Sequence, residues 1–409
     1  MTNSVDARPV NDAVAPPRRG LAAVPRGVWA LGLVSLCMDL SSELVHALLP
    51  LYLAVGLGVS MVAIGFIEGI AEATALVVKV FSGVLSDYFR RRKPLVLLGY
   101  GLAALTKFIF PLAPTLGWVV FARFADRVGK GIRGAPRDAL IAELAPPEAR
   151  GASFGLRQAL DTVGAIGGPL LALAGLAWFA GNFQTVFWLA VVPAMLAVLL
   201  IVVGVDEPDR AAEATDGDGR KRLHWTDAKR LPGAYWGVVA LAAVLTLARF
   251  SEAFLVLRAQ GAGFGTSGAP WVMVAMTVVY AVTSYPAGAA LDRGHAARLL
   301  SAGCAALIGA DLVLAFAAGP AAVLAGAALW GLHMGLTQGL LAALVARHAP
   351  DDLRGSAFGM FNLASGVALL IASVLAGLLW DTWGPRFTFL AGAAFTAVAW
   401  AGLALRQRR

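Results

Sequence analysis

Apolar stretches of about 20 residues follow one another along most of this 409-residue sequence, with short polar segments between them. Each stretch is long enough to cross a hydrocarbon core of roughly 30 Å as an α-helix. Only helices and closed barrels span membranes, and a barrel would show alternating segments of about ten residues, which this sequence lacks. We therefore expect an all-α integral membrane protein with twelve transmembrane helices, near residues 28–54, 60–83, 94–112, 117–139, 152–176, 184–205, 234–257, 269–290, 297–317, 320–345, 356–380 and 385–405.

The composition agrees with a membrane protein. Apolar residues make up 59% of the chain and charged residues only 14%, whereas about a quarter of a soluble protein is charged. The net charge of +8 comes from arginine and lysine in the first tail, in the loops after the second, fourth and sixth spans, and at the end of the chain. By the positive-inside rule these segments and both termini face the cytoplasm of a cell with a bacterial-type inner membrane. This distribution excludes a basic surface for nucleic acid.

The two halves of the sequence carry a faint copy of each other. Residues 83–87 recur as residues 288–292, and the pattern of residues 146–155 recurs at nearly the same offset in residues 350–359. Two unrelated matches at one offset indicate a duplicated unit. We expect two pseudo-symmetric six-helix bundles with a site between them. The predicted segments are a disordered cytoplasmic tail at 1–26, an N-terminal bundle at 27–205, a cytoplasmic linker at 206–232 and a C-terminal bundle at 233–409.

Several predicted spans of the first half contain charged residues. Each such residue costs roughly 2.5–3.5 kcal/mol on insertion scales, so it is retained only where it faces protein or water. On each helix the charges fall on one narrow stripe, which turns them away from lipid. Carboxylates and an arginine at the middle of the membrane suit a proton relay. The candidates for proton coupling are Asp39, Glu43, Glu68, Arg123 and Asp126.

A second group of residues is suited to binding a solute. Arginine and lysine on the fourth span would be counter-charges for an anionic group. The candidates for substrate binding are Arg123, Arg127, Lys130, Glu252, Trp330 and Gln338. Structural ion pairs that lock helices together are the alternative interpretation of the intramembrane charges, above all for Lys107, and also for Glu68 with Lys79.

The loop after the second span matches the pattern Gly-x-Leu-Ala-Asp-Arg-x-Gly-Arg-Arg at Gly83, Leu85, Asp87, Arg91 and Arg92. In this motif the chain resembles the major facilitator superfamily, and the resemblance extends over nearly its whole length. It implies a cytoplasmic latch in which the loop aspartate and arginine meet an acidic residue at the end of the fourth helix. An ion cluster that closes one face and breaks on the other is a bistable element. The predicted latch residues are Gly83, Asp87, Arg91, Asp138 and Asp292, the last from the second copy of the motif.

Two further motifs resemble the drug/proton antiporters of that family. Arg123 and Gly129 match the fourth-span pattern Arg-x-x-Gln-Gly-x-Gly, in which the arginine is implicated in proton transfer. The fifth span carries the antiporter spacing of Gly, eight residues, Gly, three residues and Gly-Pro. The same spacing permits close helix packing with or without antiport. The residues of this antiporter-like helix are Gly155, Gly164, Gly168 and Pro169.

The sequence predicts a secondary transporter that exports a small organic solute in exchange for protons by alternating access, working as a monomer in the lipid bilayer. Proton-driven uptake of an organic anion or a metal chelate is the first alternative, and a membrane sensor without flux is the second. We expect no cofactor, no bound metal and no enzymatic activity. Residues 151–155 match the esterase pattern Gly-x-Ser-x-Gly, but they open a membrane helix and not the strand-turn-helix that an esterase needs.

Overall fold

The computed structural model describes residues 24–89, 92–206, 230–350 and 353–407. Most of the predicted tail and linker, and the latch residue Arg91, lie outside these ranges. The described residues form α-helices joined by short turns and contain no β-strand. The helices of the first half are α1 Arg26–Leu51, which continues into a wider turn at Tyr52–Gly56, α2 Met61–Phe89, α3 Lys93–Leu112, α4 Leu116–Leu144, α5 Arg150–Trp178 and α6 Phe183–Gly204.

The second half begins with a broken helix. Its two parts are α7 Gly233–Ala248 and α8 Ala253–Ala259, and a wider turn at Gln260–Phe264 leads to the short α9 Gly265–Gly268. Backbone groups freed by the break find other partners, because Ser251 donates its N–H to Ser373 Oγ and Ala253 donates to Ser251 Oγ. The remaining helices are α10 Trp271–Asp292, α11 Ala296–Phe316, α12 Pro320–His348, α13 Arg354–Trp383 and α14 Pro385–Gln407.

Ten helical segments of the described chain are long and apolar enough to cross a membrane, and they correspond to ten of the twelve predicted spans. The predicted fourth and twelfth spans, which correspond to α4 and α14, are not among the ten. Helix α4 fails this criterion because it carries charged residues throughout its middle, including Arg123, Asp126, Arg127 and Lys130. For α14 the described side chains end at residue 402. Length and apolar character therefore confirm ten spans and leave these two as predictions.

The helices of each half pack mainly on one another. In the first half α1 lies along α5 and α6, α3 along α4 and α6, and α2 along α4. In the second half α12 packs on α10 and α11, α14 on α11, and α7 on both α13 and α14. The contacts between the halves are made by α2 with α13, α5 with α10, and α1 with α8. A site enclosed by α1, α2, α4 and the break after α7 is thus built from both halves.

The contact between α2 and α13 is unusually close where α2 begins. A Cβ atom on Gly65 would overlap the Ser373 carbonyl, and one on Gly377 would overlap the Met61 carbonyl, so the two backbones touch. Asp381 then caps α2 from the other half, since its carboxylate accepts the N–H groups of Met61 at 3.1 Å and Val62 at 2.9 Å. The first N–H groups of a helix have no partner within it, so this cap stabilises the contact. We call this end of the molecule, where α2 begins and α13 ends, the sealed end.

Candidate functional site

The centre of the candidate site is an ion pair between α2 and α4. Arg123 Nη2 lies 2.5 Å from Glu68 Oε2, and only 1% and 0% of the two side chains is exposed. The same nitrogen donates to His46 Nδ1 of α1 at 3.0 Å. Because a guanidinium has no acceptor, His46 Nδ1 must be the acceptor and carries no proton in this arrangement. One arginine thus joins a carboxylate and an imidazole from three helices.

A second carboxylate lies one turn further along α2, and a second arginine one turn further along α4. Arg127 Nη1 is 3.1 Å from Glu72 Oε1, and Arg123 Nη2 is 3.5 Å from the same oxygen. Residues four apart share a helix face, so Glu68 and Glu72 present a column of negative charge to a column of arginines. The two helices are therefore joined by a ladder of charge-assisted contacts.

The third ion pair ties α3 to α4. Lys107 Nζ is 2.8 Å from Asp126 Oδ1 and 3.3 Å from Ser42 Oγ on α1, and all three groups are buried. Asp126 Oδ2 also lies 3.7 Å from Arg127 Nε. The network made by the three ion pairs thus contains three carboxylates and three cations, and its formal charge is balanced. Asp126, predicted for proton coupling, is held here by a lysine that the sequence favours as a structural partner.

A cavity of about 270 Å³ adjoins this network and is lined by both halves of the molecule. Its lining from the first half includes Glu43, His46, Glu72, Arg127 and Lys130, and from the second half Arg249, Phe250, Glu252 and Gln338. His46 connects the two sets, because its Nε2 lies 3.5 Å from Glu252 Oε2. The imidazole thus contacts the buried arginine on one side and a carboxylate of the other half on the other.

Four of the six predicted substrate residues line this cavity: Arg127, Lys130, Glu252 and Gln338. Arg123 lies behind the cavity wall in the ion-pair network. Trp330 is fully buried and packs against Phe250, with 5.4 Å between the ring centroids, so the ring of Phe250 lies between it and the cavity side. A binding role for Trp330 stays a prediction.

Two half-buried charged residues of the lining, like the exposed Lys130, lack a hydrogen-bonded or ion-paired partner among the described residues. Glu43 of α1 and Arg249, which follows the last residue of α7, make no hydrogen bond or ion pair with any residue that the structure describes. Sequence reasoning did not single out Arg249, nor His46 and Glu72, as site residues. The available signal for Arg249 was that it is a charged residue within an apolar predicted span, three residues before Glu252.

The remaining coupling candidate, Asp39, lies on the α1 face that packs against α5. The Cβ atom of Asp39 lies 3.0 Å from the position that a Cβ atom on Gly164 would occupy. A Cβ atom on Gly168 would lie 2.7 Å from the backbone nitrogen of Leu44 on α1. Together with the buried Pro169, these glycines let the antiporter-like helix lie directly against the polar face of α1. Gly155, the first residue of that motif, has open space around it. Asp39 itself does not line the cavity.

The predicted latch is only partly described. The side chain of Asp87 and all of Arg91 lie outside the described part of the chain. Asp138 pairs with its neighbour Arg137, whose Nη2 is 3.0 Å from Asp138 Oδ1, and Arg137 also donates to Ser35 Oγ on α1 at 3.1 Å. Gly83 packs near Ala135 of α4, and Asp292 is exposed at the end of α10. The latch as a whole stays a prediction.

The carboxylates of α2 together with His46 form a group that could hold a metal ion. Ligand atoms of His46, Glu68 and Glu72 lie within 4.8 Å of one another. A cation already stands among them, however, because Arg123 Nη2 lies 2.5 to 3.5 Å from all three. The arrangement fits an ion-pair centre, and a metal would have to displace the guanidinium.

Comparisons with known proteins agree with this architecture. An uncharacterized MFS-type transporter of Methanocaldococcus jannaschii is 30% identical over 381 residues, which cover 91% of this chain and 93% of that protein. Multidrug resistance protein MdtH of Photorhabdus laumondii is 29% identical over 164 residues, which cover 40% of this chain and 39% of that protein. The crystal structure of nucleoside transporter NupG superposes with a TM-score of 0.76 at 14% identity, covering 94% of this chain and 100% of that one, and shares the fold.

The sequence pattern of the Major Facilitator Superfamily matches residues 31–371 and again 253–409, so the two matches together span almost the whole chain. With the helices, the site between the halves and the relatives in agreement, this chain is a multi-pass membrane transport protein that belongs to the Major Facilitator Superfamily.

Proposed function

We propose that the protein is a proton-coupled exporter of a small solute that works by alternating access in an inner membrane. The supporting architecture is twelve spans, with α4 and α14 added to the ten apolar segments, in two six-helix bundles at residues 27–205 and 233–409. Packing of the helices mainly within each half supports this division. The charges of α4 do not oppose a membrane position, because its arginines and Asp126 are buried against other helices and not turned to lipid.

The charge distribution gives the proposal a direction across the membrane. Arginine and lysine cluster at the loops opposite to the sealed end, so the positive-inside rule directs the sealed end to the outside and both termini to the cytoplasm. The cavity then faces the cytoplasm, from which an exporter takes its solute. Rocking of one bundle on the other would open the close contact between α2 and α13 and release the Asp381 cap.

The proposed coupling mechanism rests on the two contacts of the His46 imidazole. Its Nδ1 accepts from Arg123 in the ion-pair network, and its Nε2 faces Glu252 from the second half. A proton that binds Nδ1 must displace the Arg123 hydrogen bond, and a proton that binds Glu68 removes the charge that holds Arg123. Either event frees the guanidinium and changes the contact between halves at Glu252. Proton binding and solute binding are thereby coupled through the same group of residues.

Two observations favour export, and one favours uptake instead. The antiporter-like spacing of α5 and the similarity to a multidrug resistance protein over 164 residues support an exporter. The cations Arg127, Lys130 and Arg249 on the cavity wall would support uptake of an anion, but the carboxylates Glu43, Glu72 and Glu252 line the same cavity and oppose it. Proton-driven uptake is therefore the second candidate.

The test is collapse of a preformed pH gradient in inside-out vesicles, with a panel of cationic, zwitterionic and anionic solutes. We expect particular solutes to collapse the gradient with the unmodified protein and not with Glu68→Gln. Glu213→Gln, in the predicted linker, is the matched control and should behave as the unmodified protein. If no solute collapses the gradient while labelled solutes still cross the membrane, proton antiport is wrong. If Glu68→Gln collapses it fully, the assignment of Glu68 is wrong.

A further inference from the structure

The solute itself can be assigned to a chemical class from the charges of the cavity. We propose that this protein binds a small zwitterion, whose carboxylate pairs with Arg249 and whose ammonium group pairs with Glu43. The inference rests on the proposed transport function for its physiological meaning, but binding can be measured without transport. It assigns one end of the solute to each half of the molecule.

The ion-pair network leaves no free charge to select a solute. Glu68, Glu72 and Asp126 are each within 3.1 Å of a cation, and the three cations of the network are used in these pairs. A ligand that paired with one member would leave the opposite member unpaired inside the protein, which is costly. Recognition must therefore come from the other charges of the cavity wall.

Only some of those other charges are available. Glu252 is next to His46, with 3.5 Å between Oε2 and Nε2, and Lys130 is an exposed side chain. Glu43 and Arg249 are half-buried, line the cavity, and make no ion pair with any described residue. Intramembrane charges that face a cavity mark a solute pathway, and here the half-buried charges without an ion pair are one of each sign on opposite halves.

The chemistry of each group indicates which end it binds. A guanidinium presents a planar fork that matches a carboxylate with two parallel hydrogen bonds, so Arg249 suits the anionic end. Glu43 can only accept hydrogen bonds when ionised, and an ammonium group donates three. A solute with a single charge would satisfy one of these residues and leave the other unpaired. A zwitterion satisfies both and adds no net charge.

The size and the walls of the cavity narrow the class further. Ligand pockets usually enclose about 300–1,000 Å³, and this one, at about 270 Å³, is just below that range. Phe250, Leu76 and Leu369 give it an apolar side. An amino acid with an apolar side chain, or a comparable zwitterion up to the size of a dipeptide, fits these dimensions.

The experiment is isothermal titration of the full-length protein in lipid nanodiscs with matched probes. Alanine, leucine and phenylalanine are the zwitterions; their amides keep only the ammonium group, and their N-acetyl derivatives keep only the carboxylate. We expect at least one zwitterion to bind roughly tenfold or more tightly than its amide and its N-acetyl derivative, because each lost charge-assisted contact removes about that factor. Equal or tighter binding of either derivative, or no binding by any zwitterion, overturns the proposal.

Two variants assign the ends. Glu43→Gln should weaken binding of the zwitterion and of the amide roughly tenfold and leave the N-acetyl derivative unchanged, while Arg249→Gln should do the opposite. Arg249→Lys keeps the charge and should restore part of the affinity, which separates a lost contact from misfolding. Arg298→Gln, an exposed arginine on α11, is the control. Parallel weakening of all three probes by both variants contradicts the assignment of the two ends.

The failure of this inference is distinguishable from the failure of proton-coupled export. If zwitterions bind as described and do not collapse a pH gradient in vesicles, the solute class stands and proton antiport is wrong. If singly charged solutes collapse the gradient and no zwitterion binds, antiport stands and the solute class is wrong.

Discussion

The two halves of this transporter carry their buried charges in opposite ways. In the first half, α2, α3 and α4 place three carboxylates and three cations in contact, so these six charges are balanced, while the buried Arg133 lies over the Tyr100 ring. In the second half the fully buried carboxylate of Asp311 on α11 has no hydrogen-bond partner on either oxygen among the described residues. It lies against Gly392 of α14, where a Cβ atom would be 2.6 Å from Asp311 Oδ2. The first half thus contains an ion-pair centre, and the second is mainly an apolar frame.

The frame of the second half is aromatic. Phe250, which lies in the break between α7 and α8, has its ring centroid 5.4 to 5.5 Å from those of Phe254, Trp330 and Phe389. Aromatic pairs at this separation contribute about 0.5–1.5 kcal/mol each beyond burial. The cluster fixes the break, and the break presents Arg249 and Glu252 to the charged wall of the first half. The second half thus positions residues of the cavity wall, and the first half contributes the ion-pair network.

The largest effect is expected at the centre of the ion-pair network. Arg123→Ala leaves Glu68 buried without its partner, and breaking a buried pair costs about 3–5 kcal/mol. We expect a clear fall in the midpoint of thermal unfolding in detergent and no proton-coupled transport. The double variant Arg123→Gln with Glu68→Gln should recover stability and not coupling. An Arg123→Ala protein as stable as the unmodified one would show that the first half does not depend on charge balance.

A loss of stability of similar size is expected at the ion pair between Lys107 of α3 and Asp126 of α4, and here a second substitution should restore both stability and transport. Lys107→Met leaves Asp126 facing an apolar side chain and costs about 3 kcal/mol or more. Adding Asp126→Leu should restore the stability, since an apolar pair of similar volume often replaces a buried ion pair without loss. Transport and its pH dependence should return in this double variant if the pair is structural. Continued loss of proton flux in a stable double variant would make Asp126 a coupling residue, as the sequence predicted.

A smaller effect is expected where the second half caps the first. Asp381→Ala removes the carboxylate that accepts from Met61 and Val62 at the start of α2, and loss of a helix cap costs about 0.5–2 kcal/mol. Because the cap belongs to the sealed end, the variant should favour the state with that end open. Accessibility of a cysteine introduced at Ile64, a fully buried residue near the start of α2 that is larger than cysteine, to a membrane-impermeant thiol reagent added outside measures this. The same labelling rate with and without the Asp381 substitution would show that the cap does not hold the sealed end closed.

The smallest effect is expected in the apolar frame. Asp311 has no ion pair or hydrogen bond with any described residue, and a buried carboxylate without a partner is unfavourable, so Asp311→Asn, which keeps the shape, should not lower the free energy of unfolding. Proton flux should be unchanged. Denaturant unfolding followed by tryptophan fluorescence checks the first expectation. A loss above about 2 kcal/mol would show that Asp311 has a charged partner and that the two halves are less different than described.

The sequence predicted the helices and the stripes of charge, because apolar length and helical spacing are local properties. Glu68, Arg123 and Arg127 fall on facing stripes as their spacing indicated, and Lys107 pairs with a carboxylate as the structural interpretation required. Ten spans were recovered by length and apolar character. The helix with the most charge, α4, is one of the two predicted spans that those criteria do not recover, and its charges mark the candidate site.

The features that the sequence did not predict depend on contacts between distant residues. The cap of α2 by Asp381 joins residues 320 positions apart, and nothing near either residue indicates it. Trp330 lies at the membrane depth expected of a cavity residue. The depth of a residue along its helix does not determine whether its side chain faces the cavity, however, and here Phe250 lines the cavity while Trp330 packs against the Phe250 ring. The role of Arg249 depends on the break after α7, which places it on the cavity wall without a partner.

The central claim, that the first half carries the proton and the second half supplies the frame, is tested most directly by measuring proton flux and solute exchange together. The measurement uses proteoliposomes that contain a pH-sensitive dye and a labelled solute, with Glu68→Gln and Asp311→Asn compared side by side. We predict that Glu68→Gln retains solute exchange and loses solute-driven proton flux, and that Asp311→Asn retains both. Proton flux that survives in Glu68→Gln and disappears in Asp311→Asn would contradict the account.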